Sequence, residues 1–108
     1  MIEKSYKFSI SDDKAIEKLV NDDNVAINHM VLPQGMGLPK HFSNSNVYMI
    51  IVRGIMTIKL DTQDAKKFSA GHILNIPYNT HMDAKNVDDG ILEFFVVKSP
   101  NPKYYEDK

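Results

Sequence analysis

The side chains able to do chemistry in this chain are few, and their spacing singles out one of them. There are four histidines, His29, His41, His72 and His81, and no cysteine. Disulfides, thiolate nucleophiles and cysteine-based zinc sites are therefore excluded. Histidine titrates near neutrality and is the commonest nitrogen ligand for metals, so acid–base or metal chemistry here must centre on one of those four. His41 has the most suggestive setting. It lies in the spacing Gly35, five residues, His41, one residue, Ser43, three residues, Val47, six residues, Gly54. A second spacing follows: Gly71, five residues, Pro77, one residue, Asn79, two residues, Met82, three residues, Asn86. On a strand, residues an even number apart share a face, which places His41, Ser43, Val47 and Met49 together. Two other chemistries find no support. No Ser-His-Asp spacing is present. The glycines at 35 and 37 lack the Gly-Lys-Ser/Thr ending of a phosphate loop and precede no helix.

The elements that must hold these residues are mostly strands. YKFSI at 6–10 alternates and predicts a short strand. Ser11 followed by Asp12 and Asp13 is a good helix start, and Ile16, Leu19 and Val20 fall on one helical face, so DDKAIEKLV predicts a short amphipathic helix. VAINHMVL at 25–32 reads as a strand stopped by Pro33 and Gly35. VYMIIV at 47–52 is apolar at every position, the pattern of a strand covered on both faces. IMTIKL, the segment from Ala65 to Phe68, ILNI at 73–76, HMDAKN at 81–86 and ILEFFVV at 91–97 complete the set. In HMDAKN the alternation puts Met82 inside and His81 outside with Asp83 and Lys85. The parity of His29 is undecided. His72 follows a turn glycine and is expected in solvent. Tyr78 and Asn79 are placed to rim a pocket, although turn chemistry alone explains Asn79. SPNPKYYEDK, broken by proline, predicts an extended arm. The fold class is all-β: a small barrel with one short N-terminal helix. Residues 1–24 form a strand and helix belonging to the same domain, 25–97 the barrel and 98–108 the tail.

The two spacings resemble the motifs of the cupin family, which builds a double-stranded β-helix, or jelly-roll, barrel. Its first motif reads G, five residues, H, one residue, H, three or four residues, E, six residues, G. Its second reads G, five residues, P, one residue, G, two residues, H, three residues, N. Gly35, Gly54, Gly71, Pro77 and Asn86 match the framework, and the likeness covers residues 25–97. The resemblance implies a site of four nitrogen and oxygen ligands converging inside the barrel, suited to iron, manganese, nickel or zinc. This chain keeps one of the four, His41. The others are Ser43, Val47 and Met82, and neither a valine nor a thioether serves a hard divalent ion. Sliding the second motif by one residue would make His81 the ligand, but would break the Asn86 spacing and bury Asp83 and Lys85. No metal and no cofactor are expected.

The candidate site is therefore a ligand pocket formed by His41, Ser43, Val47, Met49 and Met82, with Met30 and Met56 as further methionines near it. The functional reading makes His41 an acid–base or orienting group at the barrel mouth, above an adaptable apolar cavity. The plainer reading is a hydrogen-bonded histidine above ordinary core packing. Ser43 and Ser45 either bind a polar ligand or satisfy loop backbone groups. Three functions stay open: a barrel that binds a small molecule without the usual metal, a metal-dependent oxygenase or isomerase whose site is rebuilt from His41 with His29 or His81, and a non-catalytic sensor or interaction module.

The whole-chain properties narrow the partners. At 108 residues there is one domain. A net charge of −1 gives no electrostatic attraction to nucleic acid or an anionic membrane. No signal peptide or membrane-spanning run is evident, so a cytoplasmic protein is expected. Strands apolar on both faces need cover on the outside as well. A second copy of the chain is the simplest cover, with the N-terminal segment protecting the partner's sheet edge, so a homodimer is expected.

Overall fold

The computed structural model describes residues 2–106. Among these, nine strands form two antiparallel sheets. The strands are β1 (Ala15–Asn21), β2 (Ala26–Leu32), β3 (His41–Phe42), β4 (Val47–Arg53), β5 (Ile55–Leu60), β6 (Lys66–Ser69), β7 (Ile73–Ile76), β8 (His81–Lys85) and β9 (Leu92–Lys98). One sheet has the order β1-β2-β9-β4-β7 and the other β3-β8-β5-β6. Their inner faces enclose a single core in which Leu32, Met49, Ile51, Met56, Ile76 and Phe94 are nearly or wholly buried. Each such side chain contributes roughly 1.5–3 kcal/mol by leaving water. This is the all-β jelly-roll barrel that the sequence predicts.

Glycine and asparagine fix its corners. Gly54 joins β4 to β5 at φ +84°, and a Cβ there would stand 2.1 Å from the Ile91 carbonyl oxygen. Only glycine meets both demands. Asn86, almost completely buried, donates from Nδ2 to the carbonyls of Leu32 and Gly90 at 2.8 and 2.7 Å, while its Oδ1 accepts from the Asp88 N–H. It ties the end of β2 to the turn before β9, which explains its place in the second spacing.

Three expectations about the ends of the chain are corrected. The segment expected as a helix over residues 12–20 is strand β1. A helix of two turns has little stability of its own, whereas β1 gains a ladder with β2 that runs from the Ala15–Val31 pair to the Asn21–Ala26 pair, with one irregularity at Leu19. The segment also alternates: Ile16 and Lys18 take one face and Glu17 the other. The Ser11 hydroxyl, expected to cap that helix, accepts the Asp13 N–H at 2.9 Å in a local bend. Residues 6–10, expected as a strand, join no ladder. They pack by side chains instead, with the Phe8 ring 4.9 Å from His29 and 5.0 Å from Phe95. The tail, expected to be an extended arm, folds back over residues 98–106. Asn101 donates to Asn21 Oδ1 and to the Asp22 carbonyl and caps a 3-10 helix, Pro102–Tyr105, whose Tyr105 stacks on Tyr78. Asp107 and Lys108 lie outside the described residues.

Candidate ligand cavity

The register of the five-stranded sheet decides what meets inside the barrel. One inner row across β1, β2, β9 and β4 is Ile16, Met30, Phe94 and Ile51. The next is Lys18, Asn28, Val96 and Met49, and a third is Ala26, Lys98 and Val47. The opposite sheet brings His41 of its edge strand β3 beside Met82 of β8. Between them lies a cavity of about 350 Å³, within the range of small-molecule sites. Its floor is hydrocarbon and thioether: Met30, Val47, Met49, Met82 and Val96, all buried. Its polar groups are Lys18, Asn28, His41 and Lys98, all less buried than the floor.

The structure therefore joins four of the five expected pocket residues. His41, Val47, Met49 and Met82 line one cavity. Ser43 is separated from them. Its buried hydroxyl donates to the Pro77 carbonyl at 2.6 Å and accepts the Thr80 N–H at 2.8 Å. With the backbone bonds between Ser43 and residues 79 and 80, it stitches the loop after β7 to the end of β3. The odd-even rule fails there because β3 stops at Phe42, so parity from His41 does not carry on to Ser43. Ser45 is likewise buried, donating to the Pro100 carbonyl.

His41 is exposed, and its Nδ1 lies 2.7 Å from the Pro39 carbonyl. That contact puts a proton on Nδ1, so that in the neutral ring Nε2 is the acceptor. His81 and Met82 have the parity read from the sequence: Met82 is buried in the interior, while the His81 ring packs edge-on against Phe42. His29 is on the outer face of the five-stranded sheet, away from His41. It is fully buried, and its Nδ1 and Nε2 lie 2.7 and 2.6 Å from carboxylate oxygens of Glu17 and Glu93. His72 is exposed, its Nδ1 on the Ser69 carbonyl. No two of the histidines thus share the cavity.

The family's metal chemistry does not fit these residues. Of the four ligand positions, Val47 and Met82 present only carbon and thioether sulfur, and the Ser43 hydroxyl is engaged by backbone groups. Among the described residues, no group of three or more His, Cys, Asp or Glu side chains is arranged to hold a metal ion.

The cavity's lysines were not singled out by sequence. Reading residues 12–20 as a helix hid Lys18. For Lys98 a signal existed: it continues the inward parity of Leu92, Phe94 and Val96. Burial, and next the charge of Lys18, hold the Lys98 amine below the usual lysine range. On the outer face the hydrogen bond from His29, followed by that from the Ser9 N–H, holds the Glu17 carboxyl below its ordinary value. Arg53 donates through Nε to Glu93 and through a terminal nitrogen to Asp12, and the Asp12 contact leads the causes that raise its pKa.

Comparison with known proteins places the barrel. No family model matches the chain. An uncharacterized protein of the archaeon Methanocaldococcus jannaschii is 49% identical over 104 residues, 95% of this chain and 90% of that protein. A crystal structure from the same organism, described as an RmlC-like cupin family protein with a double-stranded β-helix fold, superposes with a TM-score of 0.94 at 48% identity, covering 96% of each chain. A cupin superfamily protein from Desulfitobacterium hafniense shares the fold at a TM-score of 0.72 and 14% identity, over 86% of this chain and 83% of its own. A cupin-like protein of Thermotoga maritima does so at 0.73 and 19%, over 79% and 67%. The chain belongs to the RmlC-like cupin family. The family sets the fold and leaves the activity open, since one barrel hosts many unrelated chemistries.

Proposed function

We propose that this cupin binds a small amphipathic molecule in the barrel cavity without a metal ion. One observation carries the reading: at the family's ligand positions Val47 and Met82, with Met49 and Met30, form an apolar floor under a cavity whose polar groups stay at the rim. Methionines make such a floor adaptable to shape. His41, with Nε2 free to accept, is placed to orient a hydroxyl or similar donor. The test is titration with a neutral fluorescent naphthylamine, followed by its emission. Saturable binding near one probe per chain is expected, and Met82→Trp, which fills the floor, should abolish it while the circular dichroism stays that of a folded barrel. Absence of saturable binding to the wild-type protein would overturn the proposal.

We also infer a homodimer. Tyr48, Val52 and Ile73 on the outer face of the five-stranded sheet are 38, 48 and 63% exposed. Beside Val52 runs a groove bordered by Phe8, Ile10, Arg53 and Phe95, and Ile10 is almost fully exposed. Large apolar side chains gathered on one sheet face mark a contact surface. Sedimentation equilibrium at micromolar protein should give twice the chain mass, and Val52→Asp with Ile73→Asp should halve it. A monomeric wild-type protein would refute the inference.

A further inference from the structure

The cavity has a feature that a neutral ligand would leave unused. Its polar groups include two lysines and no acid. Lys18 and Asn28 are direct cross-strand partners, and Lys98 is two residues beyond Val96, the partner of Asn28. On one face of an antiparallel sheet, direct partners and their diagonal neighbours lie within reach of long side chains. The three side chains thus form one cluster at the end of the apolar floor. Among the described residues neither lysine is in an ion pair, although Lys103, which borders the neighbouring cleft, is paired with Asp23. Glu106 borders the cleft on the far side of the same lysines, but makes no hydrogen bond or ion pair to either.

Lys18 and Lys98 border the same cavity from β1 and β9, and their like charges, one of them half-buried, oppose each other. Such an arrangement is relieved by an anion placed between them. A carboxylate suits the geometry: its two oxygens accept from two ammonium groups, and the Asn28 amide donates a third hydrogen bond. Only a compact head group fits here, because the floor directly beyond it, Val47, Met49 and Val96, offers no polar partner.

We propose that the ligand of this cavity is an amphipathic monocarboxylate, its carboxylate held by Lys98, Lys18 and Asn28 and its hydrocarbon lying over Met30, Val47, Met49 and Met82. This rests on the cavity-binding reading above and adds the sign of the head group. The depressed basicity of Lys98 agrees with it: a bound anion would restore the charged form that burial and Lys18 now disfavour.

The test compares three eight-carbon probes at neutral pH and low salt by calorimetry: octanoate, 1-octanol and octylammonium. Octanoate should bind about tenfold or more tighter than octanol, as expected for a charge-assisted pair, and octylammonium more weakly than either. The preference should shrink as salt is raised. Lys98→Met should remove most of it while octanol binding persists, and Lys18→Met should reduce it. Equal affinity for octanoate and octanol would overturn the anion proposal and leave the cavity reading standing. Failure of all three probes to bind would overturn both. A preference unchanged in both lysine variants but lost in Lys103→Met would move the anion to the neighbouring cleft and refute the assignment.

Discussion

Glu93 Oε2 lies 2.6 Å from Nε2 of a fully buried His29, while its other oxygen accepts the Arg53 Nε–H at 3.1 Å. Glu17 closes the histidine's other side at 2.7 Å. Both ring nitrogens thus face carboxylates, and each contact needs a proton. The ring is further enclosed by Phe8 and Phe95 at 4.9 Å. The polar network substitutes for apolar packing on this outer face and ties β1, β2, β9 and β4 to the N-terminal segment. Glu93→Ala removes one partner and leaves His29 and Arg53 facing the gap. Removing one partner of a buried hydrogen bond leaves the other unsatisfied at a cost of about 1–3 kcal/mol, and here two donors lose the same acceptor. A loss of about 3 kcal/mol in urea unfolding is expected, since Glu93 keeps some exposure; a loss under about 1 kcal/mol would show that the network is solvated.

The same network sets an acid limb. The Glu17 carboxyl titrates lower in the folded protein than in the unfolded chain, first through the His29 hydrogen bond and next through the Ser9 N–H. A depressed carboxylate contributes stability that is complete above the unfolded pKa and is lost as pH falls through the folded one. Between those two values the unfolded chain holds more protons, so stability falls with falling pH. Unfolding midpoints measured from pH 6 down to pH 3 should show this drop, and Glu17→Gln should flatten it.

Much of the barrel was legible because its signals are local and redundant. Alternation in HMDAKN, the apolar run of β4 and the turn residues at Gly54, Pro77 and Asn86 each point to the same strands. The ends were not legible. DDKAIEKLV carries both a helical stripe and a strand alternation, and what decides between them is a ladder to β2, a tertiary contact that no local pattern encodes. The candidate site followed suit. Val47, Met49 and Met82 are on regular strands, and parity places them inside; Ser43 is past the end of a two-residue strand, where parity stops. Lys18 becomes visible as a cavity group only once β1 is known to be a strand, whereas Lys98 continues the inward parity of β9.

Gly54 gives a direct test of the corner between β4 and β5. Gly54→Ala would put a methyl 2.1 Å from the Ile91 carbonyl oxygen at a backbone φ of +84°. The left-handed conformation alone costs about 1–2 kcal/mol in an L-residue, and the contact forces the turn before β9 to shift. A loss of about 3 kcal/mol or more in chemical denaturation is expected. Gly90→Ala, where a Cβ would meet nothing within 4 Å, should cost far less and serves as the control.

The separation of Ser43 from the cavity changes how a metal site would be rebuilt in this barrel. Restoring the family's ligand types one for one would require Ser43→His, Val47→Glu and Met82→His. Only two of these positions share the cavity with His41. Val47→Glu with Met82→His should suffice to give nickel or zinc binding through three ligands, measured calorimetrically against a silent wild type. Adding Ser43→His should bring no further affinity. It would instead remove the hydroxyl that bridges the Pro77 carbonyl and the Thr80 N–H; the carbonyl keeps the Thr80 hydroxyl as a donor, but the part-buried Thr80 N–H loses its acceptor, at a cost of about 1 kcal/mol. The triple variant should therefore bind metal no tighter than the double variant and unfold at lower denaturant. A large gain in affinity on adding the third substitution would mean that the loop after β3 can swing residue 43 into the barrel.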